Sequence, residues 1–232
     1  MTKTEVMNLL KSHRNERGMQ NWEKLGAGTK GLTSFGMGLT QLRKIAKQVG
    51  RDHTLAQRLW KTDNYDAKVI ALLIDDPLQM TPEQAEEQVE EVGAAMLAHV
   101  FSSCDATLAK TPFVVELACR WIEHRDAVRV QCGYGLIYEL SKDRCRKELT
   151  DEFFLECLQK IRSRFQEAGM AVRMAMGTAV MGIGKRNRLL NGSALPLAKA
   201  LGPIDFDEGG SCEPFDIVKH LASESLQKKL GA

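Results

Sequence analysis

The cations of this 232-residue chain are grouped rather than scattered. From Met1 to Ile70 there are 13 Lys and Arg against 6 Asp and Glu, and from Arg120 to Leu190 there are 14 against 9. Between them, Ile74 to Val92 holds seven acids and no base. Basic stretches separated by an acidic one predict a face that attracts polyanions and another that does not. Solvated helix faces would give the same composition, so the charge pattern alone leaves both readings open. Arg43 and Lys47 stand i, i+4 on the outer face of one amphipathic run. Arg129 stands beside the apolar stripe that Val130 and Tyr134 begin. Lys185 and Arg186 close another run, where the helix dipole favours cations whatever the function.

Other chemistries fit the residues less well. The six cysteines form no CxxC pair and the five histidines are dispersed, so no metal and no cofactor is expected. The glycines from Gly26 to Gly38 follow no strand, which argues against a dinucleotide or phosphate-binding loop and leaves a mobile connection as the expectation. No apolar run is long enough to span a membrane, and Met1 to Leu10 show no secretory signal. A reduced, cytoplasmic chain is expected, with the cysteines as core fillers.

The elements that position these residues are helices. Leu39, Leu42, Ile45 and Val49 make an apolar stripe ended by Gly50, and further runs cover Arg51 to Lys61 and Asn64 to Ile74. Thr81, Pro82, Glu83 and Gln84 read as a capping box that opens a helix reaching about Phe101. Thr111-Pro112 is a second start signal, followed by the stripe Val114, Leu117, Ala118, Trp121 and Ile122. Runs from Asp126, from Thr150 and from Val172 to Ile183 come next, and about Ser193–Leu201 and Pro214–Lys228 finish the chain. Trp60, Trp121 and a half-buried His99 are expected in the core, while Met174 and Met181 are candidates to face outward. An all-α superhelix of stacked HEAT-like helix pairs, forming a single curved domain over 1–232, accounts for this pattern.

The run Phe35 to Lys47 (FGMGLTQLRKIAK), then Arg51-Asp52-His53, Leu59-Trp60, Asp66-Ala67-Lys68 and Asp75-Asp76-Pro77, resembles the DNA alkylation repair (AlkD-like) family. The likeness continues at Thr111-Pro112, at Ala127-Val128-Arg129 and from Val172-Arg173 through Gly184 to Asn187. It is best over 36–191, leaving an N-terminal helix and the glycine-rich loop over 1–35 and C-terminal helices over 192–232.

The resemblance implies a partner, duplex DNA, held on a concave basic surface. It also implies an activity, excision of cationic alkylpurines of the 3-methyladenine and 7-methylguanine type. Two tryptophans and an aspartate beside the sugar would stabilise the developing positive charge. Counted back from Thr111-Pro112 without gaps, Leu97 and Phe101 occupy the positions of the first tryptophan and the aspartate. With a four-residue deletion, Phe101 and Asp105 do, which makes Asp105 the candidate catalytic residue. Thr178, after Gly177, stands where the second tryptophan would be. The basic side carries over better: Arg129, Arg173, Lys185, Arg186 and Asn187 match, and with Arg43 and Lys47 they form the candidate nucleic-acid contacts. The rival expectations are a helical-repeat scaffold for a protein partner, or binding of structured RNA by the same groove.

Overall fold

The computed structural model describes residues 1–205 and 213–231. They form fourteen α-helices and three short 3-10 turns, with strand-type pairing confined to isolated bridges at Thr33–Asn64 and Ile204–Phe215. The expectation of an all-α chain therefore holds. Contacts divide it into two compact units, Met1–Leu117 and Ala118–Ala232.

The first unit contains α1 (Lys3–Ser12), α2 (Glu16–Glu23), α3 (Leu39–Val49), α4 (His53–Trp60), α5 (Tyr65–Ile74), α6 (Pro82–Glu91) and α7 (Leu97–Ser102). Its centre is α5, on which α1, α3, α4 and α7 all pack. Asn64 caps α5 through the Ala67 N–H, and nearly every residue of the helix is buried. Trp60 is 5% exposed, as an apolar anchor should be.

Two polar side chains of this helix region organise the rest. Asp75, buried at its C-terminus, accepts hydrogen bonds from His53, Gln57 and Gln84, while its carbonyl accepts from Thr107. Asp66, also buried, accepts from Ser34 Oγ at 2.8 Å and from the N–H groups of Phe35 at 2.6 Å and Met37 at 3.2 Å. Burial pushes the Asp66 carboxyl up, and these donors oppose that shift. The glycine-rich stretch, expected as a mobile connection, is thus pinned. Thr33 N–H bonds Asp63 O, Trp22 Nε1 bonds Leu32 O, and Gly26–Thr29 is itself a 3-10 turn. Periodicity cannot reveal this, because a buried carboxylate thirty-odd residues downstream does the pinning.

The helix expected from Thr81 to Phe101 is two helices. α6 ends on Glu90 and Glu91, acids with no base in the last turn, where the dipole disfavours them. Ala95 then adopts a left-handed φ of 45° and gives its N–H to Gly28 O at 2.9 Å. The capping box is half made as well: Thr81 Oγ accepts from Gln84 N–H, but the Gln84 side chain reaches Asp75 instead.

The chain passes between units within α8 (Val114–Ile122). The second unit holds α9 (Ala127–Lys142), α10 (Asp151–Arg164), α11 (Met170–Gly184), α12 (Arg188–Leu201), α13 (Ile217–Leu221) and α14 (Glu224–Leu230). Asp126, Thr150 and Asn187 cap α9, α10 and α12 through backbone N–H groups. Here α11 is central, packed on α9, α12 and α13. Gly182 permits the closest approach: a Cβ there would lie 2.3 Å from Ser141 Oγ and 2.7 Å from Tyr138 Cδ2. The helix expected at Ser193 begins at Arg188 because Asn187 caps it, and it tolerates Pro196 within. The helix expected over Pro214–Lys228 is divided into α13 and α14 at Ala222 and Ser223. Most of the acidic segment Asp205–Asp216 lies outside the described residues.

Trp121 is fully buried and His99 half-buried, as expected, but Met181 is buried rather than outward. Cys132 and Cys157 are core fillers, with the Cys157 thiol pushed up to about 12 by burial, whereas Cys145 is exposed. Cys212 lies outside the described residues. No described helix is long and apolar enough to cross a membrane.

Candidate nucleic-acid interface

In the first unit the candidate acid and one candidate cation meet. Arg43 Nη2, on α3, lies 3.7 Å from Asp105 Oδ2, with the two side chains 42% and 75% exposed. Asp105 is not a turn along from Phe101 on the same helix. α7 has ended at Ser102, and Cys104 and Asp105 follow in left-handed conformation with φ of 61° and 63°. Lys110 Nζ donates to Asp105 O at 2.6 Å and holds that loop. Leu97 and Phe101, the residues of the ungapped register, are both 0% exposed. Neither presents a ring or a carboxylate to a substrate. Lys47, one turn beyond Arg43, is exposed.

In the second unit the candidate cations divide into two kinds. Two guanidinium groups serve the protein's own backbone, and a third lies beside a carboxylate of its own helix cap. Arg186 Nη1 donates to Ser141 O at 2.9 Å and to Asp143 O, while Nη2 donates to Leu149 O at 3.1 Å. Its carbon lies 4.6 Å from the centre of the Phe154 ring. Arg173 donates to Phe165 O at 3.0 Å and Gln166 O at 2.5 Å, where α10 runs out into a 3-10 turn. Arg129 is 13% exposed and lies 3.9 Å from Asp126, the cap of its own helix. Asn187 is likewise engaged, with Oδ1 capping α12 and Nδ2 bonded to Asp151 at 2.7 Å.

Lys185 is the other kind. It closes α11, burial lowers its pKa, and no carboxylate among the described residues pairs with it. It borders a 320 Å³ cleft shared with Tyr138, Lys142, Arg144, Gly182 and Lys229. Lys142 bonds Glu139 at 2.7 Å and lies over the Tyr138 ring. Arg144 and Lys229 are exposed. Arg144 is close enough for its charge to help depress the Arg186 pKa, after the larger effect of burial. Sequence reasoning missed Lys142, Arg144 and Lys229. The run Lys142 to Lys147 carries a legible basic signal, but nothing in the sequence joins it to a lysine near the C-terminus.

Thr178, one helical face along from Gly182 and Lys185, is partly exposed, and its hydroxyl is turned back to Met174 O and Ala175 O. Among the described residues no group of His, Cys, Asp and Glu is placed to hold a metal.

The family model described as DNA alkylation repair enzyme matches residues 6–200. A solved structure also matches, described as a new family of proteins related to the HEAT-like repeat DNA glycosylases with affinity for branched DNA structures. The TM-score is 0.83 at 21% identity, covering 100% of this chain and 97% of that one. At that identity the likeness establishes the HEAT-like repeat fold. No curated protein sequence matches the chain.

Proposed function

The chain belongs to the DNA alkylation repair enzyme family, and on that premise we propose that it holds DNA by its phosphates without excising alkylated bases. The helix α11 carries this reading. It keeps Lys185 unpaired at its C-terminus while Thr178 stands where the family resemblance calls for an aromatic side chain. Lysines at such positions neutralise phosphates and release counterions, which supplies most sequence-independent affinity. A cationic alkylpurine is a good leaving group, yet speeding its departure still takes a carboxylate or aromatic face beside the sugar. Buried Leu97 and Phe101 cannot supply either, and Asp105 is engaged with Arg43.

The solved relative is described by its affinity for branched DNA, so a four-way junction belongs beside a plain duplex in the test. Binding of both, followed by fluorescence anisotropy, is expected to weaken at least about a hundredfold between roughly 50 and 200 mM salt. Release of 7-methylguanine or 3-methyladenine from alkylated duplex is expected to stay at the uncatalysed level. Retention indifferent to salt, or none, would sink the reading in favour of a scaffold for a protein partner. Enzymatic release of either base would overturn its second half.

A further inference from the structure

The cleft bordered by Lys142, Arg144, Lys185 and Lys229 concentrates positive charge in a way that holding a duplex does not require. The internal phosphates of DNA carry one charge each and are spaced along the helix, so a backbone-tracking surface needs cations strung out in step with them. Here four cationic side chains and no acidic one border a single cleft of 320 Å³. One of the four, Lys142, is offset by Glu139. Arg144, Lys185 and Lys229 have no carboxylate partner among the described residues.

We infer that this cleft is a subsite for a terminal phosphate, the phosphomonoester at the end of a DNA strand. A phosphomonoester carries nearly two negative charges at neutral pH and three strong acceptor oxygens, which suits a cluster of three free cations. The walls are firmly built as well. Tyr138 and Gly182 line it, and with no side chain on Gly182 the α9 residues Tyr138 and Ser141 pack directly against α11. Lys185, partly withdrawn from water and depressed in pKa by burial, gains more from an incoming dianion than a fully hydrated lysine would.

The subsite is assembled from two parts of the chain. Tyr138, Lys142, Gly182 and Lys185 belong to α9 and α11, within the family-matched residues, whereas Lys229 comes from α14, beyond residue 200 where that match ends. Arg188 Nη1 donates to Gly231 O at 3.3 Å and ties the end of α14 to the start of α12.

The choice of a strand end over a free nucleotide rests on the proposed DNA binding; the preference for a dianionic phosphate does not. The test compares duplexes that differ only in carrying a phosphate or a hydroxyl at their ends, 5′ and 3′ separately, with wild type, Lys229→Gln and Arg144→Gln. Both residues are exposed, so both variants should fold as wild type does. Wild type is expected to prefer one phosphorylated end by about tenfold at pH 7.5, and either variant to lose most of that preference. Each variant should bind the hydroxyl-ended duplex within about threefold of wild type. The preference should shrink as pH falls through about 6, where the second phosphate proton returns. Equal binding of phosphate and hydroxyl ends would overturn the subsite and leave DNA holding intact. If no duplex binds at all, the DNA reading has failed. In either case, pyrophosphate or a deoxynucleoside monophosphate bound by wild type and lost in Lys229→Gln would reassign the cleft to a free nucleotide and overturn the strand-end assignment.

Discussion

Arg43 and Asp105 form an exposed ion pair, 3.7 Å apart, between α3 and the left-handed loop after α7. The carboxylate that could have served chemistry instead partly neutralises a cation that could have met DNA. Exposed pairs of this kind are weak, so releasing the arginine costs little stability. Asp105→Asn is expected to tighten duplex binding, by at most about fivefold, and to leave alkylbase release where it was. Arg43→Gln should weaken binding and reduce the log–log salt slope by about one. If neither variant changes the affinity, Arg43 does not face DNA.

Arg186 and Lys185 are neighbours with opposite assignments. Replacing Arg186 by Met strands the carbonyls of Ser141, Asp143 and Leu149 and uncovers Phe154. That should cost about 3 kcal/mol in urea unfolding. Lysine should restore little, since a point charge cannot serve three carbonyls reached by a planar fork. Lys185→Gln, by contrast, should leave stability within about 0.5 kcal/mol and weaken DNA binding. The reverse pattern would exchange their roles.

Gly18 and Gly36 pack backbone to backbone. A Cβ on Gly18 would lie 1.9 Å from Gly36 O, and one on Gly36, whose φ is 72°, would lie 2.3 Å from Met19 N. No side-chain movement can relieve a clash with main chain. Gly36→Ala should therefore destabilise by more than about 3 kcal/mol, or detach α2, visible as early proteolysis between α1 and α3. Gly31→Ala is the control: its φ of 79° meets open space, so only left-handed strain of about 1–2 kcal/mol is expected.

Glu123 bonds Lys160 Nζ at 2.5 Å and also Arg164, linking the residue after α8 to α10. The Lys160 bond, more than the Arg164 bond, holds its carboxyl below the usual 4.5. A carboxyl depressed in the folded state stabilises above its unfolded pKa, and that contribution is lost as pH falls through the folded value. Melting temperature should therefore drop less steeply below about pH 4.5 in Glu123→Gln than in wild type. At pH 7 the variant should lose under about 1 kcal/mol, because the bridge is exposed. Parallel acid limbs in the two proteins would refute the assignment.

Much of the helical scaffold was legible because its signals are local. Asn64, Asp126 and Thr150 each cap the helix they precede, and the stripe around Trp121 is buried as its spacing requires. What escaped was decided by distant partners. The break at Ala95 depends on Gly28 O, and the order of the glycine-rich stretch depends on Asp66. The candidate site shows the same division. Basic residues were visible by type, but Arg173 and Arg186 could not be distinguished from Lys185 until carbonyls from other elements filled their donors. Lys229 was invisible for the complementary reason, since its place beside Lys185 is purely tertiary.

The bonds that Asp66 accepts from Ser34, Phe35 and Met37 span 32, 31 and 29 residues. Closing a loop of that size costs chain entropy before the bonds can repay it. The clamp is therefore expected to close after α3, α4 and α5 have come together, making the N-terminal segment a late-docking flap. Pulse-labelling hydrogen exchange would show it directly: protection of the Phe35 and Met37 amides should lag behind that of α5. Simultaneous protection would place the clamp in the nucleus instead.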